Sequence, residues 1–111
     1  MPRETLQSLT EPMYYVMLAL VKPMCGIEIM EKVGELSGQR VVIGPGTLYT
    51  MLAKFEENGL IMPADTTQSA APWAKRKNYI ITHKGKEFLT REYERLKRQI
   101  SDGEKIMEGL K

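Results

Sequence analysis

The sequence predicts a mostly helical α+β fold in which a compact unit of three helices and a β-hairpin precedes one long helix. Three observations lead there. The stretch from Gly44-Pro45-Gly46-Thr47-Leu48-Tyr49 to Asn58-Gly59-Leu60-Ile61 reads as a short helix with both ends marked. Two β-type runs, Leu60 to Met62 and Lys77 to Thr82, flank a polar, small-residue loop. From Leu89 to Leu110 the apolar positions repeat at alternating spacings of four and three, the seam of a helix that pairs with another.

In chain order, Thr10 is the expected N-cap of a first helix, with Pro12 in its first turn and Lys22-Pro23 at its end. That helix is apolar nearly all round, so it should be central and touch both the core and a partner. A second helix runs from about Gly26 to Leu36, with Ile29, Met30, Val33 and Leu36 as its buried stripe and Ser37-Gly38 as its end. Val41-Val42-Ile43 is β-branched and consistent with one strand. The third helix, about residues 46–58, follows.

This third helix carries the first functional signal. Pro45 sits where a first-turn proline is tolerated, because its missing N–H would have had no partner there. Gly59 can take the left-handed conformation that closes a helix, with Leu60 folding back as its apolar contact. Leu48, Leu52 and Phe55 form one apolar face, and Thr47, Thr50, Lys54 and Glu57 fall opposite, with Tyr49 at the boundary. A helix that buries one stripe and shows hydroxyls plus a lysine is suited to a DNA groove.

Charge is the second signal. The chain has a net charge of +2, but its cations are concentrated. Residues 75–98 hold nine Lys or Arg against three Asp or Glu, beginning with Lys75-Arg76-Lys77. Positive charge beside a candidate reading helix is what phosphate contacts need. For Arg91 to Arg98 a solvated helix face is an equal alternative.

After the hairpin, Thr82 is an expected N-cap for a last helix from His83 to near the C-terminus, with Gly85 a weak spot in its first turn. Its seam is Leu89, Tyr93, Leu96, Ile100, Gly103, Met107 and Leu110. Nothing is left in the chain to cover such a seam, so it implies a partner helix, although its first positions could pack on their own domain. Leu89, Tyr93, Leu96, Ile100 and Met107 are the expected dimer contacts. The chain divides as a DNA-binding domain over 1–82 and a dimerisation helix over 83–111.

Several motifs together resemble the PadR family of bacterial transcriptional regulators. Pro45-Gly46-Thr47-Leu48-Tyr49 and Glu56-Glu57-Asn58-Gly59-Leu60-Ile61 match the opening and close of that family's recognition helix. Tyr14-Tyr15-Val16-Met17-Leu18-Ala19-Leu20, Gly26-Ile27-Glu28-Ile29 and Tyr79-Ile80-Ile81-Thr82-His83-Lys84-Gly85 match segments on either side. The resemblance covers roughly residues 10 to 90. It implies a winged helix-turn-helix domain of the short form with a single C-terminal helix, and a homodimeric repressor at a palindromic operator. Thr47, Thr50 and Lys54 would face the groove. Tyr49 would bond a phosphate or pack in the core, and Lys75, Arg76 and Lys77 would hold the backbone or minor groove. The family's tryptophan-lined drug site has no counterpart on the C-terminal helix, where Tyr93 is the nearest substitute; Trp73 lies in the wing loop instead. A small-molecule effector is therefore unassigned.

Other classes are disfavoured. One histidine, His83, and one cysteine, Cys25, make neither a catalytic pair nor a structural zinc site. No cofactor motif is present, since Gly44-Pro45-Gly46 lacks the later glycine and the lysine of a phosphate loop. Eight methionines suit adaptable core filling better than a ligand pocket. The run Met13 to Val21 is too short to span a membrane. A cytoplasmic location is expected, which a single cysteine fits. The competing function is a winged-helix module that binds another protein; acidic residues on the third helix would have favoured it.

Overall fold

The computed structural model describes residues 6–64 and 77–111. Among these, the chain forms α1 (Glu11–Ala19), β1 (Met24–Cys25), α2 (Gly26–Leu36), α3 (Pro45–Glu57), β2 (Ile61–Ala64), β3 (Asn78–Ile81) and α4 (His83–Glu108). The architecture is mostly helical with one small antiparallel sheet, ordered β1-β3-β2. This is a winged helix-turn-helix arrangement with a long C-terminal helix.

Local signals fix the helix ends. The Thr10 hydroxyl accepts from the Met13 N–H, and Thr82 accepts in the same way from Gly85 at 3.0 Å. Each satisfies a donor that the first helical turn leaves without a partner. At the end of α3, Gly59 has φ +75° and the Leu60 N–H bonds the Phe55 carbonyl at 2.9 Å. At the end of α2, Gly38 has φ +61° and the Gln39 N–H bonds the Gly34 carbonyl at 2.7 Å. Both closures have the Schellman pattern, in which a left-handed residue lets the chain turn back onto the last carbonyls.

The core is one cluster drawn from all four helices and the sheet. Val16, Met17, Leu20, Ile29, Val33, Leu48, Leu52, Phe55 and Leu60 are at most 1% exposed. α1 is central as expected: Met13, Val16, Met17 and Ala19 are buried, while Tyr14, Tyr15 and Leu18 are half-buried against the same cluster. In α2 the expected stripe shifts by part of a turn. Ile29 and Val33 are buried and Met30 is half-buried, but Leu36 is exposed and Gly26 and Gly34 lie inward instead. Tyr49 and Leu48 of α3 take the space at Gly26, and the Gln39 side chain takes it at Gly34.

The β-run at Val41-Val42-Ile43 is not a strand. Val41 and Ile43 are buried and Val42 is 80% exposed, so the alternation is real, but it packs side chains without ladder bonds. Ser37 takes the place of a neighbouring strand there, its hydroxyl oxygen accepting from the Val41 N–H at 3.1 Å. The third strand comes from Met24 and Cys25, which pair with Tyr79 and Asn78. The expected hairpin does form, with Ile61 opposite Ile81 and Ala64 opposite Asn78. Trp73 and most of the connecting loop lie outside the described residues.

α4 is seated on the body by its first turns. Gly85 is buried, and a Cβ there would run into the Leu60 carbonyl oxygen and come within 2.7 Å of Ile81 Cγ1. The expected weak spot is thus a contact point. Leu89 joins the core. No described helix is long and apolar enough to cross a membrane.

Candidate nucleic-acid interface

The candidate reading surface is the outer face of α3. Leu48, Leu52 and Phe55 are buried by the core, which leaves Thr47, Thr50, Ala53 and Glu57 exposed and Lys54 partly so. A helix packed on one side and bare on the other can enter a major groove. The Thr50 hydroxyl donates to the Gly46 carbonyl at 3.0 Å. Its lone pairs remain, so it can still accept a hydrogen bond, as from an amino group of adenine or cytosine. Gly44, not a side-chain oxygen, caps the helix.

Tyr49 is half-exposed and does not sink into the core. Its ring lies against the first turn of α2, where a Cβ on Gly26 would come within 2.6 Å of the hydroxyl. The phenol is thus held at the junction of α2 and α3, with its polar end at the rim of the reading face. Lys77 is exposed and stacks its ammonium 5.2 Å from the centre of the Tyr79 ring. Lys75 and Arg76 lie outside the described residues.

The C-terminal end of α3 is tied down. Asn58 Nδ2 donates to the Lys54 carbonyl at 2.8 Å, and Asn58 Oδ1 accepts from the Leu6 N–H at 3.2 Å. Lys84 lies over Gly59, its Nζ 3.7 Å from where a Cβ would be. A cation at that point faces the negative end of α3 and favours it.

The seam of α4 divides in two. Leu89 is buried, Leu96 is partly buried and Tyr93 is 48% exposed. Beyond them Ile100, Met107 and Leu110 are each 59–73% exposed. Tyr93 lies close enough to Tyr14 of α1 that, after burial itself, it helps raise the Tyr14 pKa above the usual phenol value. α1 and α4 therefore share one surface of half-buried aromatic rings that runs into the bare seam.

Sequence reasoning missed Glu92. It is only 5% exposed, in the middle of a basic stretch. Oε1 accepts from the buried Leu9 N–H at 2.7 Å, and Oε2 accepts from Arg95 Nε at 2.9 Å. The Arg95 hydrogen bond, with help from Leu9 and from the guanidinium charge, holds its pKa below the usual carboxylate range despite burial. A signal did exist: Glu92 is three residues after Leu89 and four before Leu96, on the inward edge of the helix.

Among the described residues no group of three or more His, Cys, Asp or Glu is placed to hold a metal ion. Cys25 is buried and His83 is exposed, paired with Glu87 at 3.5 Å.

Comparison with known proteins agrees with this geometry. A transcriptional regulator from Clostridium thermocellum superposes with a TM-score of 0.69 at 22% identity, covering 86% of this chain and 90% of that one. A PadR family transcription regulator from Clostridium difficile gives 0.65 at 27% identity, over 91% of this chain and 98% of that one. A PadR-like transcription factor from Bacteroides fragilis gives 0.64 at 28% identity, over 85% and 87%. No curated protein sequence is similar enough to be matched. Residues 16–91 match the transcriptional regulator PadR-like family, whose regulators bind DNA; the chain, with its half-exposed Tyr49 at the rim of a bare α3, belongs to that family.

Proposed function

We propose that this protein is a homodimeric repressor that occupies a palindromic operator and blocks promoter access. The observation that carries the reading is the bare outer face of α3, with Thr47, Thr50 and Lys54 pointing away from the core. Thr47 and Thr50 meet base edges and Lys54 meets a base or phosphate. Tyr49 donates its hydroxyl to a phosphate from its seat on α2. Lys75, Arg76 and Lys77 hold the DNA backbone or minor groove. Phosphate contacts set the register and base contacts specify.

The seam supports dimerisation. Ile100 and Met107 are exposed apolar residues repeating along one face, and together with the half-exposed Tyr93 and the partly buried Leu96 they make a stripe that water disfavours, while Leu89 is taken up by the protomer's own core. A two-fold dimer presents two copies of α3 to successive major grooves, so half-sites lie about 34 Å apart. The function needs no enzymatic chemistry.

The test is Thr50→Ala combined with Lys54→Ala, compared on a duplex from the region upstream of the protein's own coding sequence and on random DNA. Each base contact is worth on the order of 1–3 kcal/mol of discrimination, so the affinity ratio should fall about tenfold or more. An unchanged ratio with an unchanged circular dichroism spectrum would mean that α3 does not read DNA, and the protein-interaction reading would replace this one.

A further inference from the structure

The residues before α1 are held at two points by two different helices. The Leu6 N–H donates to Asn58 Oδ1 at 3.2 Å, at the C-terminal end of α3. Three residues on, the Leu9 N–H donates to Glu92 Oε1 at 2.7 Å, in α4. Leu9 itself is 9% exposed and belongs to the core. Neither hydrogen bond is incidental. Asn58 is pinned by its own bond to the Lys54 carbonyl, and Glu92 is gripped by both Nε and Nη2 of Arg95, at 2.9 and 3.2 Å. A carboxylate with 7% side-chain exposure is costly to bury unless its hydrogen bonds are made. Here one of them goes to a backbone N–H that would otherwise be buried without an acceptor, and both groups lose if the contact opens.

α3 and α4 already meet at one point, where Thr82 Oγ1 donates to the Gly59 carbonyl at 2.7 Å. We propose that residues 6–9 are a strap that adds a second tie further along α4, with Glu92 as its clasp, so that the strap fixes the angle of the reading helix to the helix that joins the two protomers. Glu92 is then a positioning residue for DNA binding, although it touches no DNA. Because Asn58 bonds the Lys54 carbonyl, the strap ends at the turn of α3 that carries Lys54. Releasing the clasp frees the far end of the strap and leaves α3 and α4 joined at the Thr82–Gly59 contact, about which they can turn. In a dimer built on α4 this spreads the distance between the two reading helices. The coupling itself rests on geometry alone; its effect on operator choice rests on the DNA-binding reading above.

The experiment uses the full-length protein and reads amide exchange at the two ends of the strap. In the wild type both Leu6 and Leu9 should be protected. Glu92→Ala removes the Leu9 acceptor and should also lower protection at Leu6, on the other helix, by about tenfold or more. Asn58→Ala should do the reverse and lower protection at Leu9. A local role for either side chain would leave the far amide unchanged, and that result, or an unprotected Leu6 in the wild type, overturns the strap. Having two release variants keeps the test decisive if one fails to fold. A second readout is the ratio of affinity for the upstream duplex to that for random DNA. Each single variant should lower it, and Glu92→Ala with Asn58→Ala should lower it no further than one alone, because a strap cut at either end is already slack. Additive losses would overturn the coupling. If the wild type prefers no DNA, the DNA-binding reading fails, while the exchange measurements still decide the strap.

Discussion

The Tyr49 hydroxyl occupies the space that a side chain on Gly26 would need: a Cβ there would lie 2.6 Å from Oη and 3.1 Å from Cζ. Gly26 opens α2 and Tyr49 lies near the start of α3, so this contact bears on how closely the two helices approach there. Tyr49 is 52% exposed, so it can swing aside. Gly26→Ala should therefore cost little stability, about 1 kcal/mol or less, well below a core overpacking. It should nevertheless weaken binding to all DNA sequences alike, since in the proposed function the displaced group holds a phosphate. Adding Tyr49→Phe to that variant should change binding no further. A variant that binds as the wild type does removes Tyr49 from the interface.

Gly85→Ala should be far more damaging, because the obstacle is the Leu60 backbone carbonyl, which cannot rotate away. Overpacking of this kind costs about 1–3 kcal/mol. Urea denaturation should show a lower midpoint with little change in slope. A neutral effect would mean that α4 sits further from the β2 end of α3.

The clasp at Glu92 should be visible in the pH dependence of stability. Its pKa is lowered in the folded protein, chiefly by the Arg95 hydrogen bond. A depressed carboxylate pKa contributes stability that is present in full above the unfolded-state value, near 4.3, and is lost as pH falls through the lower folded value. Acid should therefore destabilise the wild type through this group, and melting curves of Glu92→Gln should be flatter over that range. Parallel curves for the two proteins would show that Glu92 does not carry the effect.

Replacing Leu96 and Ile100 with glutamate should give a monomer by sedimentation. Ile100 is 66% exposed in the single chain, so its loss should hardly affect the fold of the protomer. An unchanged dimer would place the interface on the aromatic surface of α1, around Tyr14 and Tyr15.

The charges of Lys75, Arg76 and Lys77 should act through phosphates. Changing Lys75, Arg76 and Lys77 to alanine should reduce the salt dependence of binding by roughly one unit of slope per lost phosphate contact, with equal losses on preferred and random DNA. A loss confined to the preferred sequence would make them base readers.

What the sequence determined by itself was local. Thr10, Thr82, Gly38 and Gly59 marked helix ends because each acts on a backbone group within a few residues of itself. The apolar face of α3 was legible because periodicity alone places Leu48, Leu52 and Phe55 together. The tertiary structure decided everything that depends on a distant partner. Val41 to Ile43 had the composition of a strand, but a strand exists only where another edge meets it, and β3 met Met24 and Cys25 instead. Gly26 looked like a helix start until Tyr49 filled the space above it, and Gly85 like a weakness until Leu60 did the same. Glu92 read as one more charge in a solvated helix; its acceptor role depends on Leu9, 83 residues earlier in the chain. Such contacts are set by how whole elements pack, and a buried polar group finds its partner only after that packing has excluded water.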